Sequence, residues 1–90
     1  MNIIYTKAIT KDVSKIKDKN LIARIESVLE AIKSATHIEN LKSLKKMSGH
    51  PTAYRIRIGD YRLGLYYEGE TVILARFLKR SDIYKVFPKK

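Results

Sequence analysis

Three arginines at alternating positions of two neighbouring segments are the residues of this chain best suited to bind phosphate. Residues 54–58 and 61–65 each alternate apolar and polar side chains, with Gly59-Asp60 between them. Alternation with a period of two predicts half-buried strands, and a Gly/Asp pair between two such runs predicts a tight β-hairpin. Arginine offers a planar fork that binds phosphate through two hydrogen bonds.

The register of this hairpin determines which side chains share a face. A two-residue loop places Arg57 opposite Arg62 and Arg55 opposite Gly64. The apolar face then carries Tyr54, Ile56, Ile58, Tyr61, Leu63 and Leu65, and the other carries Arg55, Arg57, Arg62, Gly64 and Tyr66. Like charges directly opposite each other destabilise a sheet, so the arginines predict a bound anion. Gly64 would leave space for that ligand to approach the backbone. The alternative is a solvated sheet face in a basic protein.

Composition limits the class of protein. The chain has 90 residues with 19 Lys+Arg and 9 Asp+Glu, which gives a net charge of +10. This length predicts one domain over residues 1–90, and the charge favours a nucleic acid or an acidic protein partner. With no cysteine and two distant histidines, we expect no metal site and no cofactor. No apolar run approaches the ~20 residues of a membrane span, so we expect a cytoplasmic protein without membrane association.

Hydrophobic periodicity predicts an α+β fold. We expect a strand at residues 2–5, a helix that is capped by Thr6 or Thr10 and ends at about Lys17, and a longer helix over 21–34 whose apolar residues form one stripe. A short helical turn is predicted around residues 40–44, a loop at 48–51, and a central strand at 71–77. The N-terminal strand and the helical hairpin would then pack on a small, mainly antiparallel sheet whose other face is partly open.

Three segments together resemble the RelE/ParE superfamily of bacterial toxins. They are I-I-Y-T-K-A-I-T-K-D-V at 3–13, Y-R-I-R-I-G-D-Y-R-L at 54–63 and L-K-R-S-D-I-Y at 78–84. RelE-like members are ribosome-dependent endoribonucleases that cut mRNA in the ribosomal A site without a metal, through attack of the ribose 2′-hydroxyl on the adjacent phosphate. ParE-like members share the fold but are non-enzymatic poisons of DNA gyrase. The resemblance also implies a small antitoxin partner, which we expect to be acidic.

The resemblance assigns candidate roles to five basic and aromatic residues. Arg55 and Arg57 match the basic positions of the first hairpin strand, and Arg62 matches the arginine of the second. Arg80 and Tyr84 match the basic residue and the tyrosine of the terminal segment. The chain departs from the pattern at the residue before Arg80, where many relatives have histidine and this chain has lysine.

Phosphodiester cleavage requires a proton acceptor, positive charge at the phosphate and a surface that holds the bases. We expect Arg62 to contact the phosphate. Lys79 is a candidate base, because a lysine crowded by cations such as Arg80 loses its proton more readily, although it could also act by charge alone. Tyr84 could stack on a base, donate a hydrogen bond or pack the C-terminal segment on the sheet. The residues expected to contact RNA are Arg55, Arg57, Tyr66, Lys45 and Lys46.

The sequence therefore predicts the toxin of a type II toxin–antitoxin system that acts as an mRNA endoribonuclease, with catalytic residues Arg62, Lys79, Arg80 and Tyr84. Its expected partners are mRNA in the ribosomal A site and a small acidic antitoxin, with which it would form a heteromer. Two alternatives are a ParE-like gyrase poison and a basic nucleic-acid-binding module.

Overall fold

The computed structural model describes residues 1–88, in which a five-stranded mixed sheet is flanked by helices on both faces. The strand order is β1-β5-β4-β3-β2, with β1 parallel to β5 and the other neighbours antiparallel. None of the helices described is both long and apolar enough to span a membrane. The elements are β1 (Asn2–Tyr5), α1 (Lys7–Ser14), α2 (Lys19–Ser34), a 3-10 turn (Ile38–Asn40), β2 (Leu44–Lys46), β3 (Ala53–Ile58), β4 (Tyr61–Glu68), β5 (Thr71–Lys79) and α3 (Arg80–Val86).

Side-chain caps set where the first two helices begin. The Thr6 hydroxyl accepts the Ile9 N–H at 3.2 Å, so Thr6 is the one of the two predicted caps that starts α1. The Asp18 carboxylate accepts the N–H groups of Asn20 and Leu21, which starts α2 at residue 19. Each cap satisfies backbone donors that have no partner within the helix, and contributes about 1 kcal/mol. The predicted end of α2 at residue 34 is confirmed.

The main core lies between the two N-terminal helices and one face of the sheet. The buried residues of this core are Ile9, Ile25, Ile32, Ile38, Leu41, Ile56, Ile58, Leu63, Leu65, Val72, Leu74 and Phe77. Burying one such side chain contributes about 1.5–3 kcal/mol relative to leaving it in water. The apolar face predicted for the hairpin therefore is the core face, with Tyr54 and Tyr61 packed at its border.

The hairpin of β3 and β4 has the predicted register. Ile58 pairs with Tyr61, Arg57 with Arg62, and Arg55 with Gly64. Gly59 has φ +60° at the first central position of the turn. A type II′ turn requires a positive φ at this position, which favours glycine, and its twist matches that of the flanking strands.

The helical turn predicted around residues 40–44 is wrong. Residues 44–46 instead form β2, which pairs with the outer edge of β3, and the 3-10 turn precedes it. Backbone bonds from Met47 to Ala53 and from Arg57 to Ser43 continue the pairing on either side. The apolar spacing that suggests a helix reflects Leu41 in the core and Leu44 at its border. Without β2, the backbone N–H and C=O groups on the outer edge of β3 would have no partner. Pairing with them stabilises residues 44–46 as a strand more than one short helical turn would.

The strand predicted at 71–77 lies between β1 and β4 but extends to residue 79. Beyond Leu74, where β1 ends, helix α1 covers its edge. Asp12 accepts the Phe77 N–H at 2.9 Å and the Arg76 Nε–H at 2.8 Å. The hydrogen bond that Arg76 donates to Asp12 raises the pKa of Arg76. One buried carboxylate therefore satisfies an edge donor of the sheet and fixes α1 to β5.

Helix α3 covers part of the sheet face opposite the main core, which the sequence predicts to be partly open. Ile83 and Phe87 are buried against Ala53 on this face. A Cβ atom at Gly64 would lie 2.8 Å from Cδ2 of Phe87, so the aromatic ring occupies the space above the glycine. The prediction that Gly64 leaves room for a ligand is therefore wrong, because this glycine accommodates a side chain of the protein itself.

Candidate phosphate-binding site

An open cavity of about 710 Å³ lies between the tip of the β3–β4 hairpin and the start of α3. It brings together all four residues that the sequence predicts to be catalytic. Ser81 also lines the cavity, although the sequence analysis does not predict it. The one feature of the sequence that could have indicated Ser81 is its position beside Arg80. The lining residues are Arg57, Gly59, Asp60, Arg62, Lys79, Arg80, Ser81 and Tyr84.

Backbone contacts fix the two sides of this cavity relative to each other. The Arg80 N–H donates to the carbonyl of Asp60 at 2.8 Å, which ties the start of α3 to the hairpin turn. Lys79, the last residue of β5, pairs with Tyr61 beside that turn. Tyr84 follows Arg80 by four residues, so both lie on the same side of α3. The tyrosine is 48% exposed and therefore accessible to a ligand.

Arg62 forms the floor of the cavity and is only 7% exposed. Its Nη1 donates to the carbonyls of Gly59 at 3.0 Å and Tyr61 at 2.9 Å. Its Nε is buried and has no hydrogen-bond partner within residues 1–88. Burying a cation without an acidic partner is costly, and an anion bound at the cavity would reduce that cost. Arg62 is thus both an anchor of the turn and an unneutralised charge beneath an open site.

Within residues 1–88, the cations around the cavity are not paired with carboxylates. In the described part of the chain, Arg57, Arg62, Lys79 and Arg80 form no ion pair within 4.0 Å, in contrast to Arg76, which binds Asp12. One acidic residue, Asp60, is among those lining the cavity. Clustered cations in a concave surface raise the local concentration of anions and bind groups such as phosphate.

Two of the predicted RNA-binding residues extend this positive surface. Arg55 pairs with Lys45 across β3 and β2, and it lies two residues before Arg57 on the same face of β3. Side chains two residues apart on a strand are about 6.6 Å apart along it. Arg57, Arg55 and Lys45 therefore form a basic track that leads away from the cavity across the sheet face.

The other two predicted RNA-binding residues have different surroundings. The Lys46 ammonium donates to the carbonyls of His50 and Pro51 at 3.1 and 2.8 Å, and lies 5.3 Å from the ring centroid of Tyr54. Lys46 thus holds a loop rather than facing the cavity. Tyr66 is on the arginine face, but it lies beside His50, outside the cavity lining.

Comparison with known proteins defines the class to which this fold and cavity belong. A family model described as "ParE toxin of type II toxin-antitoxin system, parDE" matches residues 3–84. The chain therefore belongs to the RelE/ParE family of toxins of type II toxin–antitoxin systems.

Individual relatives support the same assignment. Toxin RelE3 of Methanocaldococcus jannaschii is 34% identical over 89 residues, which cover 98% of this chain and 100% of that protein. A chain in the crystal structure of the RelB-RelE antitoxin-toxin complex from Methanococcus jannaschii is also 34% identical, with a TM-score of 0.80 over 94% of this chain and 99% of that one. A YoeB dimer from Staphylococcus aureus, 22% identical with a TM-score of 0.70 over 88% of this chain and 94% of that one, shows the fold alone.

Proposed function

We propose that this toxin is a ribosome-dependent endoribonuclease that cuts mRNA in the ribosomal A site and so stops translation in the cytoplasm. The observation that supports this most directly is the cavity in which buried Arg62 lies with an exposed tyrosine and three further cations that form no ion pair within residues 1–88. Such a site suits a phosphodiester whose charge grows during reaction, together with a base that needs a stacking partner. The likeness to Toxin RelE3 over nearly the whole chain favours the same conclusion.

The reaction needs only groups that the cavity and the RNA supply. The 2′-oxygen of one nucleotide attacks its own 3′-phosphorus while its proton passes to a base. The bond from phosphorus to the 5′-oxygen of the next nucleotide breaks, and that oxygen takes up a proton. The products are a 2′,3′-cyclic phosphate and a free 5′-hydroxyl. No metal or cofactor takes part in this scheme.

In this mechanism the cavity residues have separate roles. Arg62 binds the non-bridging oxygens as the phosphorus becomes five-coordinate, and Arg80 supplies further positive charge from the facing side. Lys79 takes the 2′-hydroxyl proton. Tyr84, on the rim, stacks on the nucleotide next to the cleaved bond. Donors fixed before the reaction stabilise the developing charge without reorganising, and each is worth about 10²–10³ in rate.

We propose that a small acidic antitoxin binds this toxin and covers the positive surface. The net charge of +10 and the cations clustered at the cavity favour an acidic partner through electrostatic complementarity. The similar RelB-RelE structure is itself an antitoxin–toxin complex. The test is co-expression with the protein encoded next to the toxin gene in its native operon, followed by purification through a tag on the toxin. A stoichiometric complex supports the proposal, whereas a toxin that purifies alone and does not harm cells contradicts it.

One observation favours a second function, a ParE-like poison of DNA gyrase, because the family model that matches is named for ParE. The two functions differ in what is damaged after induction in cells. Primer extension on a reporter transcript detects mRNA cut within ribosome-bound codons, and a gyrase cleavage assay detects gyrase trapped on broken DNA. The nuclease proposal predicts cut mRNA with intact DNA. Intact mRNA with trapped gyrase would support the alternative instead.

A further inference from the structure

Two aromatic rings lie at the far end of the basic track. The imidazole of His50 and the ring of Tyr66 have centroids 5.3 Å apart at an interplanar angle of 46°. Both side chains are partly exposed. Arg62, Gly64 and Tyr66 are at every second position of β4, so Tyr66 lies on the same sheet face as the arginines. The pair is therefore on the surface that the basic track crosses.

The spacing between this pair and the cavity fits a short single strand. Tyr66 is four residues from Arg62 along β4, which corresponds to about 13 Å. That length is about four nucleotides of a stacked strand at ~3.4 Å each, and fewer if the strand is extended. Phe87 covers Gly64 between them, so a strand passes on the side of Arg57, Arg55 and Lys45. These cations would contact the intervening phosphates.

The histidine ring is held in place before any ligand binds. Its Nδ1 accepts the N–H of Thr52 at 3.3 Å, so Nε2 carries the hydrogen in the neutral ring. Lys46 donates to the carbonyls of His50 and Pro51, which fixes the backbone of the loop. A ring that is already ordered loses less conformational entropy when a base stacks on it.

We propose that His50 and Tyr66 form a nucleobase-binding platform, which stacks on one base of the RNA strand and sets which phosphate reaches Arg62. This inference rests on the proposed nuclease function for its role in choosing the cleavage position. The substrate class is single-stranded RNA bound by stacking. Because stacking strength gives such sites their modest sequence preference, we expect a purine to be favoured at the platform. His50 is thus a specificity-determining residue and takes no part in bond cleavage.

Binding to a short RNA tests the platform without requiring cleavage. The probe is an eight-nucleotide strand with 2′-O-methyl groups, which remove the attacking hydroxyl, and with 2-aminopurine at one position per oligonucleotide. Stacking on an aromatic ring changes the fluorescence of this base. We expect the fluorescence to change at one position of the strand. We also expect His50→Ala to bind the RNA with about tenfold lower affinity, which corresponds to the lower part of the range of free energies for losing one stacking contact.

Two further variants separate stacking from support of the loop. His50→Phe loses the bond to Thr52 as His50→Ala does, but it keeps an aromatic face, so it should restore the fluorescence change and the affinity. His37→Ala removes an exposed histidine that is outside both the cavity and this surface, and should bind as the wild type does. If His50→Phe binds as weakly as His50→Ala, or if both bind as tightly as the wild type, the platform does not exist.

The position of cleavage on ribosomes provides the second measurement. Sequencing of the cut ends should show a purine preference at one fixed distance from the cleaved bond, which weakens in His50→Ala and returns in His50→Phe. An identical preference in all variants would overturn the proposal. If no variant cuts mRNA yet the fluorescence depends on His50 as described, the nuclease function fails while the base-binding platform remains.

Discussion

The packing of Phe87 on Gly64 allows a sharp test of how α3 is held on the sheet. A Cβ atom at Gly64 would lie 2.8 Å from Cδ2 and 2.9 Å from Cε2 and Cγ of Phe87. Non-bonded carbons are normally about 3.5–4.0 Å apart, so Gly64→Ala must displace the ring or the strand. Phe87 is buried and follows directly after α3, so the displacement would also move the helix that carries Arg80 and Tyr84.

The expected cost follows from the size of this overlap. Adding one methyl group to a well-packed core usually costs about 1–3 kcal/mol. For a domain of this size, each kcal/mol lowers the melting temperature by about 4–8 °C. We therefore expect Gly64→Ala to lower it by at least ~4 °C. We also expect slower mRNA cleavage per folded molecule, because the cavity needs α3 in place.

Phe87→Leu provides the matched second change, since it replaces the rigid ring with a smaller, flexible side chain that lacks Cε2 and can move away from the new Cβ. Thermal melts of wild type, both single variants and the double variant form a double-mutant cycle. We expect Gly64→Ala to cost at least 1 kcal/mol less in the Phe87→Leu background than alone. Additive costs, or a Gly64→Ala variant as stable as the wild type, would refute the packing argument.

Other predictions concern the buried ion pair and the candidate base. Asp12→Asn should reduce the free energy of unfolding by about 2–3 kcal/mol in urea denaturation, near the lower limit for breaking a buried pair because the side chain of Arg76 is 30% exposed. The control Asp82→Asn, which breaks an exposed pair, should stay within about 0.5 kcal/mol of the wild type. Because the pKa of Arg76 is raised in the folded state, the stabilisation from its charged form is complete below the ordinary arginine pKa and is lost only as pH rises through the folded pKa. Its contribution to the free energy of unfolding should therefore be constant from about pH 6 to 9. A dependence of that free energy on pH in this range that Arg76→Gln abolishes would contradict this. If Lys79 accepts a proton, Lys79→Ala and Lys79→Arg should both slow cleavage strongly in single-turnover assays, whereas full activity of Lys79→Arg would mean that it acts by charge.

The hairpin was predictable because its information is local. Alternation of apolar and polar residues fixes which side chains share a face, and Gly59-Asp60 fixes the turn, so the pairing of Arg57 with Arg62 follows directly. The same local reasoning brings Lys79, Arg80 and Tyr84 close to one another in the chain. Their position next to the hairpin depends on the backbone hydrogen bond from the Arg80 N–H to the Asp60 carbonyl, which no pattern in the sequence encodes.

The errors arise where a distant part of the chain competes with local preference. The region around residues 40–44 has helical spacing, but the free edge of β3 recruits residues 44–46 as a strand. Gly64 suggests open space above the strand, but the ring of Phe87, which is 23 positions later in the sequence, fills that space. The burial of Arg62 likewise depends on α3 and the turn carbonyls, so its exposure could not be read from alternation alone. Its pairing was predictable, whereas its surroundings were not.

Cleavage of ribosome-bound mRNA by the wild type and by Arg62→Ala tests the central claim most directly. Purified ribosomes carrying a reporter mRNA are incubated with each protein, and primer extension maps the cut ends, with rates divided by the folded fraction from a thermal melt. This correction is needed because Arg62 also anchors the turn. We predict that the wild type cuts within the A-site codon and leaves a 5′-hydroxyl, and that Arg62→Ala cuts about 10²–10³ times more slowly. Intact mRNA with folded wild-type protein, or cleavage by folded Arg62→Ala at the wild-type rate, would contradict the account.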